Sequence, residues 1–203
     1  MIRVSDYIMN FIYDSLKVKD IFMVSGGGIM HLTDAIAKHG KINYICSNNE
    51  QATTMEMDGY ARANENFGVA IVTSGPGATN AITGVVGAWQ DSTPCMVISG
   101  QSKRSQTIHN SKIKKLRQFG AQEVNILPMI RTVTKYSCIV NDPNKIKYYL
   151  EKAAYYAKES RLGPVWIDIL LYVQGALVDP KKLMGFNDIK NKNRFDVPNK
   201  KIK

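Results

Sequence analysis

Three short stretches of this chain combine glycine, hydroxyl and carboxylate groups at spacings that can do chemistry. They are Ser25-Gly26-Gly27-Gly28, Ser47-Asn48-Asn49-Glu50-Gln51, and Thr73-Ser74-Gly75-Pro76-Gly77-Ala78-Thr79-Asn80. Glycine-rich turns let the backbone approach a ligand closely and aim the N–H groups of a following helix at it. Neither glycine turn spells a nucleotide motif. The later one has Asn80 where a dinucleotide fingerprint needs its last glycine, and no GxxxxGK[ST] phosphate loop occurs. Taken alone, each turn reads as a tight strand-to-helix connection. Glu50 taken alone reads as a helix opener that complements the helix dipole beside an Asn48 or Asn49 cap. His31, His39 and His109 show no metal-ligand spacing, Cys46, Cys95 and Cys138 form no CxxC, and there is no GxSxG elbow. Zinc, dithiol and serine-hydrolase chemistry therefore have no support.

The elements that must position these turns follow from the apolar pattern. Short runs rich in Val, Ile and Phe fall at residues 21–24, 44–46, 69–73, 95–99, 136–140 and 165–170. They are too short for helices and suit strands buried on both faces. Between them lie amphipathic stretches that predict helices over 4–16, 29–39, 50–64, 78–89, 122–130 and 143–159. In the first, Tyr7, Ile8, Phe11, Ile12 and Leu16 make one apolar stripe. The last opens on Asp142-Pro143, a sound helix start. Strands alternating with helices predict a doubly wound α/β domain: about six parallel strands with helices on both faces. In such sheets ligands sit beyond the carboxyl ends of strands, where all three chemical stretches fall.

Composition narrows the class. The 203 residues are 44% hydrophobic and 22% charged, which excludes global disorder, collagen and coiled coil. No apolar stretch approaches the ~20 residues of a membrane span, and the first residues lack a secretory signal pattern. An odd number of cysteines fits a reducing compartment, so the expectation is a cytoplasmic protein without a membrane partner. The formal net charge is +10, but residues 181–203 hold seven lysines and one arginine against two aspartates. That tail accounts for +6 and leaves +4 elsewhere. The second basic stretch, 103–117, contains no aromatic residue for base stacking, so no nucleic-acid partner is expected.

Three longer stretches occur in order: NNEQATTMEMDGYAR (48–62), VAIVTSGPGATNAITGVVGAWQDSTPCMVISGQ (69–101) and GPVWIDI (163–169). Together they resemble the N-terminal, pyrimidine-binding domain of thiamine-diphosphate enzymes of the acetolactate synthase type. The likeness runs over roughly residues 3–178. It implies a pyrimidine-binding domain at 1–178 and a basic linker or tail at 179–203. It also implies that Glu50 hydrogen-bonds N1′ of the cofactor's aminopyrimidine and is the catalytic residue. A glutamine there would hold the ring but could not relay a proton. Ser25, Gly26 and Gly27 match the turn near the pyrimidine. Thr73, Gly75, Pro76, Gly77 and Asn80 match the loop packed against it, and Gln122 matches a glutamine on the substrate side. Acetolactate synthases usually carry phenylalanine before that glutamine. Ala121 stands here, which implies a wider or different acceptor pocket.

The resemblance further implies thiamine diphosphate as cofactor and a 2-keto acid such as pyruvate as substrate, with decarboxylation and carboligation as the reaction. In the family a C-terminal domain with a Gly-Asp-Gly motif holds the diphosphate and Mg2+. No Gly-Asp-Gly occurs in these 203 residues, which themselves offer no metal site. Family members often bind FAD, through contacts largely outside the matching region. The expectation is a homodimer, or a complex with a subunit carrying the diphosphate-binding domain, as in a split 2-keto acid decarboxylase. The alternatives are a truncated, inactive fragment and a non-catalytic dimerising or binding module. Relatives usually have proline and aspartate at the positions of Leu170 and Tyr172, so that edge is expected to make altered contacts.

Overall fold

Among the described residues, six strands form where the apolar runs lie, and two short ones are added. In the computed structural model, which describes residues 1–187 apart from the side chains of Arg104, His109 and Asn110, β1 (Ile2–Arg3) and β8 (Leu177–Val178) pair antiparallel as a small separate ribbon. The other six are β2 (Asp20–Met23), β3 (Asn43–Cys46), β4 (Gly68–Val72), β5 (Cys95–Gln101), β6 (Tyr136–Val140) and β7 (Val165–Leu170). They make one all-parallel sheet in the order β3-β2-β4-β5-β7-β6. The helices are α1 (Val4–Asn10), α2 (Met30–His39), α3 (Glu50–Ala63), α4 (Pro76–Asn80), α5 (Ile82–Gln90), α6 (Ile108–Ser111), α7 (Leu127–Ile130), α8 (Ile146–Lys158) and α9 (Leu171–Gly175).

Side chains alternate across the sheet, so the two faces build two cores. Ile21, Met23, Val69, Ile71, Met96, Ile98, Val165 and Ile167 point toward α1, α2 and α8. Phe22, Ala70, Val72, Cys95, Val97 and Trp166 point toward α3, α5 and α7. The doubly wound α/β architecture is therefore the observed one.

Several elements differ from the sequence pattern. β3 is exposed at all four residues, with Tyr44 at 53% and Ile45 at 39%, because it is an edge strand rather than one covered on both faces. The helix expected over 4–16 changes to a π-helical turn at Phe11–Ser15. The helix expected over 78–89 starts earlier and splits into α4 and α5 at Ala81. Over 122–130 only α7 is helical; residues 120–126 instead cover the carboxyl ends of the strands. β7 ends at Leu170 without a proline, because Leu170 sits at φ −58°, ψ 138° and turns the chain into α9. Beyond residue 178 the chain at first stays packed: Leu183 is buried, and the Phe186 ring meets Tyr148, Tyr155 and Tyr156 of α8. The rest of the basic tail, from residue 188, lies outside the described residues.

The contrast between centre and edge is measurable. Ile98→Ala, in a central strand with no exposed surface, is expected to cost about 2–5 kcal/mol in urea unfolding. Tyr44→Ala on the exposed edge is expected to cost under about 1 kcal/mol. Equal losses would contradict this layering.

Candidate functional site

Asn49 starts α3: its extended backbone and side-chain oxygen, which accepts from the Ala52 N–H at 2.8 Å, make it the cap. Glu50 is therefore the first helical residue, half-buried at the carboxyl end of the sheet. Thr54, one turn on, donates to the Ala81 carbonyl at 2.9 Å and ties α3 to the joint between α4 and α5. That tie sets Asn80 against Glu50, and Asn80 Nδ2 donates to Glu50 Oε2 at 2.9 Å.

The other oxygen, Oε1, faces Gly77. A Cβ on Gly77 would stand 2.9 Å from Oε1 and 2.6 Å from Thr73 Cγ2, so only glycine lets this backbone lie beside the carboxylate. Gly75 adopts φ +64°, and a Cβ there would run into the Gln122 carbonyl. Pro76 opens α4 with its fixed φ. Thr73 serves the remaining turn: its Oγ1 accepts from the Gly28 N–H at 3.1 Å, and Gly26 backs closely onto its side chain.

Of the residues singled out by sequence, Gly26, Glu50, Thr73, Gly75, Gly77, Asn80 and Gln122 thus fall into one connected set. Ser25 and Gly27 are exposed in the turn, and a Cβ on Gly27 would meet nothing within 4 Å. Gln122 contributes its backbone to the packing at φ +56°.

The sequence reading missed two buried polar groups behind this set. Register pairs Ser99 of β5 with Asp168 of β7, and both face the α3/α5/α7 core. Asp168 is buried; its carboxylate accepts from Ser99 Oγ at 2.6 Å and from Gln101 Nε2 at 3.0 Å. Trp166 Nε1 donates to the same Ser99 oxygen at 2.8 Å. Gln101 Nε2 also donates to the Val124 carbonyl at 2.9 Å, which pins the loop carrying Gln122. An aspartate inside the run VWIDIL was the available signal. The other group is Gln174 on α9, whose Nε2 donates to the Gly28 carbonyl at 2.7 Å. Nothing local in the sequence marks it.

A groove of about 830 Å3 opens at the same end of the sheet, lined by Met30, His31, Lys103, Ser105, Lys112, Leu171 and Tyr172. Its lining holds two lysines and no carboxylate, so it favours an anion. Among the described residues there is no group of three or more His, Cys, Asp or Glu that could hold a metal ion. No described helix is long and apolar enough to cross a membrane.

Burial pushes the Asp168 carboxyl up to about 7, against the opposing pull of its Ser99 and Gln101 donors. An unfolded aspartate titrates near 4, so between about pH 4 and 7 the folded chain holds the extra proton. This group's contribution to stability is full in acid and is lost as the pH rises through 7. Asp168→Asn cannot titrate. The unfolding free energy of wild type minus that of Asp168→Asn is therefore expected to fall by a few kcal/mol, to order of magnitude, between pH 5 and pH 8. Urea titrations of both chains at each pH measure it; a flat difference would refute the assignment.

Comparison with known proteins agrees with this geometry. Residues 2–137 match the family described as thiamine pyrophosphate enzyme, N-terminal TPP binding domain. The chain is 41% identical over 152 residues to the acetolactate synthase large subunit of Haemophilus influenzae, covering 75% of this chain and 25% of that protein. It is 38% identical over 152 residues to the acetolactate synthase isozyme 3 large subunit of Escherichia coli, with the same coverage. It is 35% identical over 166 residues to the chloroplastic acetolactate synthase 2 of Nicotiana tabacum, covering 80% of this chain and 23% of that one. The chain thus spans about a quarter of the length of the curated relatives it matches.

Proposed function

The chain belongs to the thiamine pyrophosphate enzyme family through its N-terminal TPP-binding domain, and from that premise we propose that it supplies the pyrimidine-binding half of an acetolactate synthase-like site. The observation that carries this reading is the Glu50 carboxylate, with Oε2 held by Asn80 and Oε1 set beside the bare backbone of Gly77. A wall without side chains next to one oriented carboxylate fits a flat, proton-bearing heteroaromatic ring. Glu50 would hold a proton shared with the ring nitrogen. Asn80 keeps the carboxylate from rotating, and Thr73, Gly75 and Gly77 would form the surface against which the ring lies. When bound, thiamine diphosphate supplies the carbon nucleophile that the protein lacks.

The described residues fit that end of the cofactor. Among them no group of three or more His, Cys, Asp or Glu could hold magnesium, and on this reading the diphosphate and Mg2+ would be held by a further domain. That domain either continues the same polypeptide or belongs to a separate subunit. Half-exposed Tyr44, Ile45 and Met55 on β3 and α3, the elements flanking Glu50, support association at this end, in a homodimer or a complex. The groove bearing Lys103 and Lys112 supports a carboxylate-bearing substrate such as a 2-keto acid, pyruvate being the simplest.

Glu50→Gln, in an assembly that includes the diphosphate-binding domain, is expected to lower turnover by about 10²–10⁴-fold. The melting temperature of the chain should stay within a few degrees; near-normal turnover would sink the catalytic assignment. Native mass spectrometry of the tagged protein from its own cells, with thiamine diphosphate and magnesium present, tests the division of labour. A diphosphate-binding polypeptide or domain in the cofactor-loaded species is expected. Tight magnesium-dependent binding by these 203 residues alone would overturn it.

A further inference from the structure

We infer that Gln174 is a positioning residue for the candidate site: its buried amide holds the 26–28 turn at the place where that turn meets the ligand. The inference rests on reading that turn as part of the pyrimidine-binding half. Gln174 sits on α9, is fully buried, and reaches across 146 residues of sequence. Its Nε2 donates to two carbonyls at once, Gly28 at 2.7 Å and Ile169 at 3.0 Å. Only the NH2 end of an amide can serve two acceptors, so chemistry settles which way the side chain points. The price is that Oε1 is buried with no partner among the described residues.

Such an orphan asks for a reason, because a methionine would fill the same space without one. The reason lies in what the amide holds. Gly28 is gripped on both of its polar groups by side chains from two different strand ends. Thr73 Oγ1, after β4, accepts its N–H at 3.1 Å; Gln174, after β7, donates to its carbonyl. Gly100 of β5 lies close behind the same carbonyl. The Ile29 N–H closes the turn onto Gly26 at 3.1 Å. Gln174 therefore links the end of β7 to the end of β2, two strands that are not neighbours in the sheet.

Gln174→Met keeps the volume and the docking of α9 but removes the donor. Hydrogen–deuterium exchange of the full chain is expected to be about five- to tenfold faster at residues 28–29, with exchange in α9 unchanged and melting within a few degrees. Gln174→Glu, which sets a carboxylate against two carbonyls, should loosen the turn further. In the assembly, Gln174→Met should weaken thiamine diphosphate binding about five- to tenfold while kcat at saturating cofactor holds. Unchanged exchange at 28–29, or equal acceleration in α9 and the turn, would overturn the inference and leave Gln174 a packing residue. Glu50→Gln measured beside it separates the two levels. If Glu50→Gln loses turnover and Gln174→Met leaves both exchange at 28–29 and cofactor binding unchanged, the inference fails while the site stands. If Glu50→Gln turns over near-normally, the site reading fails.

Discussion

The carboxyl end of the sheet is organised by where its strand order reverses. β3 lies on one side of β2 and β4 on the other, so the two crossovers leave β2 and β3 in opposite directions. Right-handed crossovers running opposite ways must cover opposite faces. Hence α2 packs into one core and α3 into the other. The turns after β2 and β4 lead to helices on opposite faces, α2 and α5, and the crevice that such sheets offer a ligand belongs at this switch point. Glu50, the 26–28 turn and the 75–80 loop border that crevice because the topology leaves them nowhere else to go.

The crevice keeps its shape through close approach on one side and buried hydrogen bonds on the other. Gly77 brings backbone against Glu50, and Gly75 brings it against Gln122. A methyl group at either place would displace its neighbour or the turn. Behind these contacts, the polar side chains of β5 and β7 form brackets. Asp168 orders Ser99 and Gln101, and Gln101 in turn fixes the Val124 carbonyl. Gln174 does the same for Gly28. A buried carboxyl and an orphan amide oxygen are costly in a core. Both are tied to a loop at the carboxyl end of the sheet, Asp168 through Gln101 and Gln174 directly.

The strands were legible because covered strands read as continuous apolar runs, and the four inner ones, β2, β4, β5 and β7, obey that rule, while β6 at one edge is only half-buried. β3 has the same apolar wording but lies at the edge, and edge position is a property of topology that no local pattern carries. The break at Ala81 and the loss of helix over 122–126 were hidden for a related reason. Thr54 holds the Ala81 carbonyl from another helix, and Gln101 holds that of Val124 from another strand. The glycines and Glu50 were visible through residue type and order. Gln174 was not, because its role is a hydrogen bond across 146 residues.

The chemistry divides along the same lines. This chain offers the crevice one carboxylate, one carboxamide and bare backbone, which suit a flat ring carrying exchangeable protons. It offers the described part of the crevice no metal-binding cluster. A ligand with a ring at one end and a diphosphate at the other would thus be held by two modules, each weakly competent alone. Joining the modules makes the second contact intramolecular, so affinity rises steeply only when both are present in the right geometry. Rigidity in the half that lacks ionic contacts then matters more, since every ordering cost in the turn is subtracted from a small gain. On this reading the buried brackets behind Gly28 and Val124 do for the ring-binding half what charge and metal do for the other: they hold the donor and wall groups in place before the ligand arrives.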